Sequence, residues 1–168
     1  QCCLVGSEMC IRDRINTDAE GRVILSDAIE YANRLKVSEM IDLATLTGAC
    51  MVALGNYTAG LFSNTVKQAD KILKSSQNAG EKIWELPLDE DLRSSIESNI
   101  ADIKNSASTR YGGAITAAMF LQHFVDKSIP WSHIDIAGPA YIDSKRPWLA
   151  PGATCLLYTS PSPRDNTG

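Results

Sequence analysis

The chain has 168 residues, of which 44% are hydrophobic and 21% charged, and its formal net charge at pH 7 is −4. This length and apolar content suit one globular domain that buries a core. The acidic balance gives no electrostatic reason to expect nucleic acid or an anionic membrane as the main partner, and no apolar run is long enough to span a bilayer.

The cysteines favour a reducing compartment. There are five, and their odd number and irregular spacing make a poor disulfide framework. The Cys-x-x-Cys or mixed Cys/His pairs that mark a zinc site are missing as well. The pattern predicts reduced thiols in a cytoplasmic protein, with Cys50 packing as a small hydrophobe inside an apolar stretch.

The two ends differ in composition from the middle. Residues 1–14 set three cysteines beside an Ile-Arg-Asp-Arg cluster, and residues 155–168 are rich in Pro, Ser and other polar residues, as in a disordered tail. We interpret both flanks as doubtful, non-native sequence, and the first residue, Gln1, as a sign that the chain is a fragment. Prediction of the fold therefore rests on residues 15–154.

Helix and strand patterns alternate in the first half of this segment. Residues 23–36 have the apolar spacing of a helix. Its predicted inner face consists of Leu25, Ala28, Ile29, Ala32 and Leu35. Residues 40–44 are consistent with a buried strand, 45–48 with a turn into a further apolar segment, and 57–62 with another strand.

The second half continues the alternation. A helix is predicted to begin at Thr65, with Gln68 completing a capping box and Gly80 just beyond its end. The next helix spans 114–126 and is apolar nearly all round, which predicts a central, buried position. Residues 134–137 have the pattern of a buried strand. Strands that alternate with helices predict an α/β layered domain.

An acidic loop before the first helix carries most of the chemical information. The run Asn-Thr-Asp-Ala-Glu-Gly-Arg over 16–22 places two carboxylates, Asp18 and Glu20, close together. Carboxylate oxygens bind Mg²⁺, Mn²⁺ or Zn²⁺, and two carboxylates this close repel each other unless cations lie between them. Gly21 permits a tight turn, and Arg22 can bind an anion through its guanidinium.

The acidic loop also fits two alternatives to a metal site. Acidic side chains before a helix are often only favourable charges at its positive end, and on spacing alone this is the commoner case. The Asp-x-x-Gly motif of nucleotide triphosphatases also matches Asp18 to Gly21, but it requires a Gly-x-x-x-x-Gly-Lys-Ser/Thr loop that the sequence lacks. Spacing alone therefore leaves both the metal site and the helix charge open.

The whole run resembles the complete signature of the leucyl aminopeptidase (cytosol aminopeptidase) family. Three family-like blocks follow in the family's order: Asp-Leu-Ala-Thr-Leu-Thr-Gly-Ala at 42–49, Gly-Gly-Ala-Ile-Thr-Ala-Ala at 112–118, and His-Ile-Asp-Ile-Ala-Gly at 133–138. A signature with three ordered blocks is far more specific than the spacing of two carboxylates. The resemblance covers about 15–154 and identifies this segment as a partial catalytic peptidase domain.

The resemblance implies a fold and an activity. The fold is a layered α/β/α arrangement with a mixed, mostly parallel central sheet, as in zinc exopeptidases. The activity is hydrolysis of N-terminal, leucine-like residues from peptides with a free N-terminus, at a site with two divalent metal ions, Mn or Zn, with Mg possible. Asp18 and Glu20 would bind the metals. Arg22 would be catalytic by holding a bicarbonate ion that acts as the general base.

By the same resemblance, Thr45, Leu46 and Gly48 line the substrate pocket, with the Leu46 carbonyl facing the bound substrate. Ala137 and Ala140 complete the pocket for the first residue, where small side chains leave room for a leucine-like group. From the residues alone, the first group also suits an ordinary strand-to-helix turn, and Ala137 suits tight core packing.

The resemblance also implies a homohexamer for the full-length parent. The family's other metal ligands, a lysine and two aspartates, and a second, catalytic lysine lie upstream of the signature, where the fifteen residues of this chain do not match. We therefore predict an aminopeptidase fragment that is inactive alone. The competing hypothesis is a non-catalytic binding or assembly module, including a DNA-binding accessory role. His123, placed on a helix face, and His133, placed at a strand edge, need no catalytic role.

Overall fold

The computed structural model describes residues 12–13, 16, 19–143, 151–154 and 156. These residues form short strands and helices in alternation. In chain order the elements are β1 (Arg12–Asp13), α1 (Glu20–Arg34), β2 (Met40–Ala44), α2 (Gly48–Leu54), β3 (Ala59–Ser63), α3 (Val66–Ala79), β4 (Ile83–Glu85), a 3-10 helix (Glu90–Ile96), β5 (Ile103–Lys104), α4 (Gly113–Gln122), β6 (Trp131–Asp135), β7 (Tyr141–Ile142) and β8 (Gly152–Ala153).

The central sheet has four strands in the order β2-β6-β3-β4. Strand β6 runs parallel to β2, with Met40 opposite Trp131 and Ala44 opposite Asp135, and antiparallel to β3. Strand β4 runs parallel to β3. Because β2 and β6 are parallel neighbours, the loops that leave their carboxyl ends lie side by side, which is where sites form in open α/β sheets.

Helices cover both faces of this sheet, which confirms the predicted α/β layers and mixed sheet. Helix α3 packs on one face, against a cluster that includes Leu61 and Ile134. The opposite face, which holds Phe62 and Trp131, is covered by α1, α2 and α4, and the central position of α4 is confirmed by its buried side chains. None of the helices in the described part of the chain combines the length and the hydropathy that a membrane span requires.

The helix predicted over 23–36 is confirmed as α1, but its buried face differs from the prediction. Val23 and Ser26 are buried, whereas Leu35 is 61% exposed. Ser26 is accommodated because its hydroxyl donates to the Val23 carbonyl at 2.7 Å and accepts from Arg12 at 2.7 Å. Apolar periodicity could not identify this position, since a serine is not counted among apolar residues.

Arg12 connects β1 to the helical layer. Its guanidinium forms an ion pair with Asp27 at 2.8 Å and lies 5.6 Å from the centre of the Phe124 ring. Arg12 belongs to the segment 1–14, which its composition marks as doubtful. The boundaries of native sequence stay a prediction, and Arg12 is a residue of that flank with specific contacts to the core.

Strand β2 has the predicted bounds but not the predicted burial. Ile41 is 47% and Leu43 42% exposed, while Met40 is buried. Within the described part of the chain, β2 is an edge strand, and α3 packs chiefly against β3, β4 and β6. The side chains of Ile41 and Leu43 therefore extend beyond the helix that covers this face. The expectation of a buried strand was wrong, because strand order decides burial.

Helix α3 lacks the predicted capping box. Thr65 is its N-cap residue, but its side chain makes no capping hydrogen bond. Gln68 instead turns inward, where its amide donates to the Met40 carbonyl at 3.2 Å and accepts from Ser132 at 2.9 Å. Gly80 does end the helix in the left-handed conformation, with φ of 74°, as predicted.

Candidate active site

Helix α1 carries two of the predicted site residues on its first turn. Glu20 is the first residue of the helix and is exposed. A carboxylate at this position is favoured by the positive end of the helix. Asp18, the second predicted carboxylate, lies outside the described residues. The structure therefore locates one of the two predicted metal ligands.

Arg22, two positions further along the helix, points back toward the segment after β5. Its Nη1 donates to the Asn105 carbonyl at 2.9 Å. Burial lowers the pKa of Arg22, and the negative charge of Asp135 opposes that shift. A guanidinium starts from so high a pKa that it stays charged under these conditions. Arg22 is thus a fixed cation, held in place by a backbone oxygen.

Asn105 holds the start of the acidic loop, a role that was not predicted from the sequence. Its side chain is 1% exposed and bonds both backbone groups of Asn16: Oδ1 accepts from the amide at 3.3 Å and Nδ2 donates to the carbonyl at 2.7 Å. The same residue accepts from Arg22 through its carbonyl. No local pattern signals this role, since the partners lie 89 residues apart.

The loop between β2 and α2 contains three predicted substrate-binding residues, Thr45, Leu46 and Gly48. Thr45 and Gly48 are exposed, and Leu46 is half-buried. The loop is shaped by Thr47, whose hydroxyl caps α2 by accepting from the Cys50 amide at 3.0 Å. A threonine before an apolar helical run is a common capping signal, so Thr47 could have been found from the sequence.

Asp135, the last residue of β6, is fully buried and was also missed. Its Oδ1 accepts from the backbone amides of Leu46 and Ala137, each at 3.1 Å. Its Oδ2 accepts from the Thr47 hydroxyl at 2.7 Å. A buried carboxylate is tolerated where several donors satisfy it. An acidic residue inside the otherwise apolar run 134–137, which was predicted as a buried strand, was the available signal.

Two adjoining clefts lie between α1 and the β2–α2 loop. The larger, about 390 Å³, brings Glu20 and Arg22 together with Thr45 and Leu46. The smaller, about 290 Å³, is lined by Arg22, Leu46 and Gly48, and its far wall is formed by residues between β5 and α4, including Arg110. Five predicted site residues therefore share one continuous concave region.

The two predicted alanines lie elsewhere. Neither Ala137 nor Ala140 lines these clefts, although Ala137 is tied to the loop through Asp135. Ala140 donates to the Ile136 carbonyl at 3.0 Å and accepts from Thr154 at 3.1 Å. The turn between them is closely packed, because a Cβ on Gly138 would stand 2.4 Å from the Gly55 carbonyl oxygen.

The described residues alone do not make up a metal site. Within them, no group of three or more His, Cys, Asp or Glu side chains is positioned to hold an ion. Glu20 is the one carboxylate among the described residues that line the two clefts. A divalent ion prefers several oxygen ligands, so Glu20 would need further ligands from outside these residues.

Cys50, in the first turn of α2 next to this loop, is a buried thiol whose pKa is shifted. The residue is 1% exposed, and burial, with the nearby charge of Asp135, raises the pKa of its thiol to about 11, from an ordinary value of 9.0. The protonated form is thus favoured in the folded state. The stability that this provides is fully present below pH 9 and is lost as the pH rises toward 11.

We therefore expect unfolding to become easier by about 2–3 kcal/mol between pH 8 and pH 11 through this thiol. The measurement is the urea midpoint against pH, in a background where the other four cysteines are serine. The control is Cys50→Ala in the same background, which removes the thiol and keeps the other groups that titrate. Equal pH dependence in both proteins would contradict the assignment.

Comparison with known proteins identifies the family of this chain. The sequence profile of the cytosol aminopeptidase family, catalytic domain, matches residues 6–158. The chain is 54% identical over 150 residues to a protein from Aquifex aeolicus named "Probable cytosol aminopeptidase", covering 85% of this chain and 30% of that protein. A protein of the same name from Persephonella marina is 58% identical over 126 residues, covering 75% and 25%.

Two solved structures are similar to this chain in both fold and sequence. A tomato leucine aminopeptidase mutant, K354E, superposes with a TM-score of 0.77 at 45% identity, covering 79% of this chain and 26% of that one. The bottromycin maturation enzyme BotP in complex with Mn superposes with a TM-score of 0.82 at 39% identity, covering 87% and 33%. The chain spans about a third or less of the length of these relatives. On the profile match and these identities, it belongs to the cytosol aminopeptidase family, within the catalytic domain.

Proposed function

We propose that this chain, within a protein as long as its relatives, acts as a metal-dependent aminopeptidase on peptides with a free N-terminus, with a preference for leucine-like first residues. The observation that carries the proposal is the shared cleft of Glu20, Arg22, Thr45 and Leu46 in a member of this family. The family match does not favour the alternative of a non-catalytic binding or assembly module.

In this proposal, Asp18 and Glu20 contribute part of the ligand set for two divalent ions, Mn or Zn, with Mg possible. When bound, such ions polarise the substrate carbonyl and lower the pKa of a bound water. The remaining ligands, a lysine and two aspartates by the family resemblance, would come from sequence upstream of the signature, since residues 1–15 of this chain do not match that pattern. On that ground we also propose that the 168-residue chain is inactive alone.

The roles of the other residues follow from their positions. Arg22 presents a fixed cation to both clefts, which supports its proposed role of holding bicarbonate as the general base. Thr45, Leu46 and Gly48 would bind substrate along the loop, and Ala137 and Ala140 would limit the pocket for its first side chain. We also propose that the full-length protein is a homohexamer in the cytoplasm. The name of the relatives, "Probable cytosol aminopeptidase", supports the compartment.

A chimera tests the enzyme proposal. In it, this chain replaces the matching 30% of the Aquifex aeolicus protein, and hydrolysis of leucine p-nitroanilide is measured with Mn²⁺, Zn²⁺ or EDTA. We expect metal-dependent turnover and a loss of roughly 100-fold or more in kcat/KM for Glu20→Gln, because the variant lacks the ligand charge. The matched control is Glu39→Gln, at an exposed site before β2.

Three results would contradict parts of the proposal. An inactive chimera beside an active Aquifex aeolicus protein would argue against an enzymatic function. Full turnover in Glu20→Gln would show that Glu20 is not a metal ligand. Metal-dependent hydrolysis by the purified 168-residue chain would contradict its inactivity.

A further inference from the structure

The most unusual group near the clefts is the Asp135 carboxylate. It is fully buried at the end of β6, between β2 and β3, yet the proposed mechanism gives it no role. Removing a carboxylate from water costs several kcal/mol unless donors and nearby charges offset the loss. Asp135 has three donors, and each belongs to a segment that contains predicted substrate-binding residues.

The hydrogen bonds fix one peptide unit of the loop from both sides. Asp135 accepts from the amide of Leu46 and from the hydroxyl of Thr47, so the residues on either side of the Leu46–Thr47 peptide bond are held by one carboxylate. The direction of the Leu46 carbonyl depends on the orientation of this peptide unit. The Thr47 hydroxyl also caps α2, which anchors the far end of the loop.

The same carboxylate also joins two parts of the proposed pocket. Its Oδ1 accepts from Ala137 as well as from Leu46. Two amide donors within hydrogen-bonding distance of one atom cannot move apart without losing a bond. The separation between the β2–α2 loop and the turn after β6 is therefore set by Asp135. Its charge also acts favourably on Arg22, which lines both clefts.

We propose that Asp135 is a positioning residue that orients the Leu46–Thr47 peptide and joins it to Ala137, so that the loop is preformed for substrate. The substrate part of this inference rests on the proposed function. The positioning part rests only on the geometry of the chain. Preformed loops bind ligands more tightly because the cost of ordering them is already met before binding.

The first experiment uses the 168-residue chain and measures amide hydrogen exchange by NMR. Asp135→Ala removes all three hydrogen bonds, and we expect exchange at Leu46 and Ala137 to rise about tenfold or more. Asp135→Asn keeps the Oδ1 acceptor, so exchange at both amides should stay within about threefold of the original. Unchanged exchange at Leu46 in a folded Asp135→Ala protein would overturn the inference.

If Asp135→Ala does not fold, Thr47 provides a second variant pair. Thr47→Val removes the bond to Oδ2 and leaves the carboxylate, and Thr47→Ser restores a hydroxyl. We expect faster exchange at Leu46 in Thr47→Val and recovery in Thr47→Ser. Equal exchange at the Leu46 amide in Thr47→Val and Thr47→Ser would count against positioning through Asp135.

The second experiment uses the chimera and separates KM from kcat. For positioning, Asp135→Ala and Thr47→Val should raise KM for leucine p-nitroanilide about fivefold to twentyfold, whereas the conservative variants Asp135→Asn and Thr47→Ser should not. A purely structural role would lower the active fraction, and so kcat, without moving KM. An unchanged KM in both Asp135→Ala and Thr47→Val would overturn the inference. An inactive chimera that keeps the exchange pattern would refute the proposed function and leave the positioning role supported.

Discussion

Replacing Asp42 by alanine is expected to destabilise the chain by about 3–5 kcal/mol. Asp42 lies on β2 directly opposite His133 of β6. One carboxylate oxygen is 2.5 Å from His133 Nδ1, and the other accepts from the Trp131 indole at 2.6 Å. Both of these partners are fully buried, so alanine would leave two polar groups without a partner and without access to water.

The effect should be large because His133 has little else to bind. Its Nε2 is buried and has no hydrogen-bond partner among the described residues. Its ring lies between aromatic neighbours, with Phe62 and Trp131 stacked at 6.2 and 6.4 Å between ring centres. Asp42 is thus the polar contact that makes a buried imidazole acceptable in this layer. This site replaces the predicted strand-edge position of His133, which was wrong because β6 lies inside the sheet.

Urea denaturation followed by circular dichroism measures this prediction. Asp42→Asn should cost less than alanine, about 1–3 kcal/mol, because the amide oxygen can still accept one of the two hydrogen bonds. Glu39→Ala is the acidic control: its carboxylate is exposed and 3.6 Å from Lys71, so the change should stay within about 0.5 kcal/mol. A loss below about 1 kcal/mol in Asp42→Ala would show that the cluster is not a stabilising one.

Local signals located several helices and strands, but neither all of their bounds nor their surroundings. The strand predicted over 134–137 is β6 at Trp131–Asp135, and the helix predicted over 114–126 ends at Gln122. The apolar run 40–44 predicted the bounds of β2, yet Ile41 and Leu43 are partly exposed because burial depends on which strands and helices lie beside them. In the same way, Gln68 fits a capping box by spacing, but the sheet offers it better partners in Met40 and Ser132. Tertiary contacts decided both cases.

In the candidate site as well, local motifs identified some residues, and others depend on contacts between distant parts of the chain. The signature and the ordered blocks pointed to Glu20, Arg22 and Leu46, and the fold brings these residues to one cleft. Asp135 and Asn105 were not predicted, because each acts on groups 83 to 89 residues away in the chain. Only the parallel pairing of distant strands makes such partners visible. The catalytic and substrate-binding roles themselves stay predictions.

Asn105→Ala is expected to release the start of the acidic loop. Asn105 follows β5, which pairs in parallel with β1, and its side-chain amide continues that pairing by bonding both backbone groups of Asn16. Alanine removes both bonds at a site that is 1% exposed, which should cost about 1–3 kcal/mol. Because the Asn105 carbonyl remains, the hydrogen bond from Arg22 is kept.

Hydrogen exchange followed by mass spectrometry distinguishes local release of the acidic loop from a general loss of stability. Peptides that cover residues 16–22 should exchange about 5- to 150-fold faster in Asn105→Ala, while peptides from α4 stay protected. Asn99→Ala, in the connection that precedes β5, is the control and should leave exchange unchanged. Equal protection of the loop in both variants would mean that Asn105 does not hold it.

If the loop is released while Arg22 keeps its bond, the two proposed functions of the acidic loop, metal binding and anion binding, can be impaired separately. In the chimera, Asn105→Ala would then weaken the response to added metal more than the response to bicarbonate.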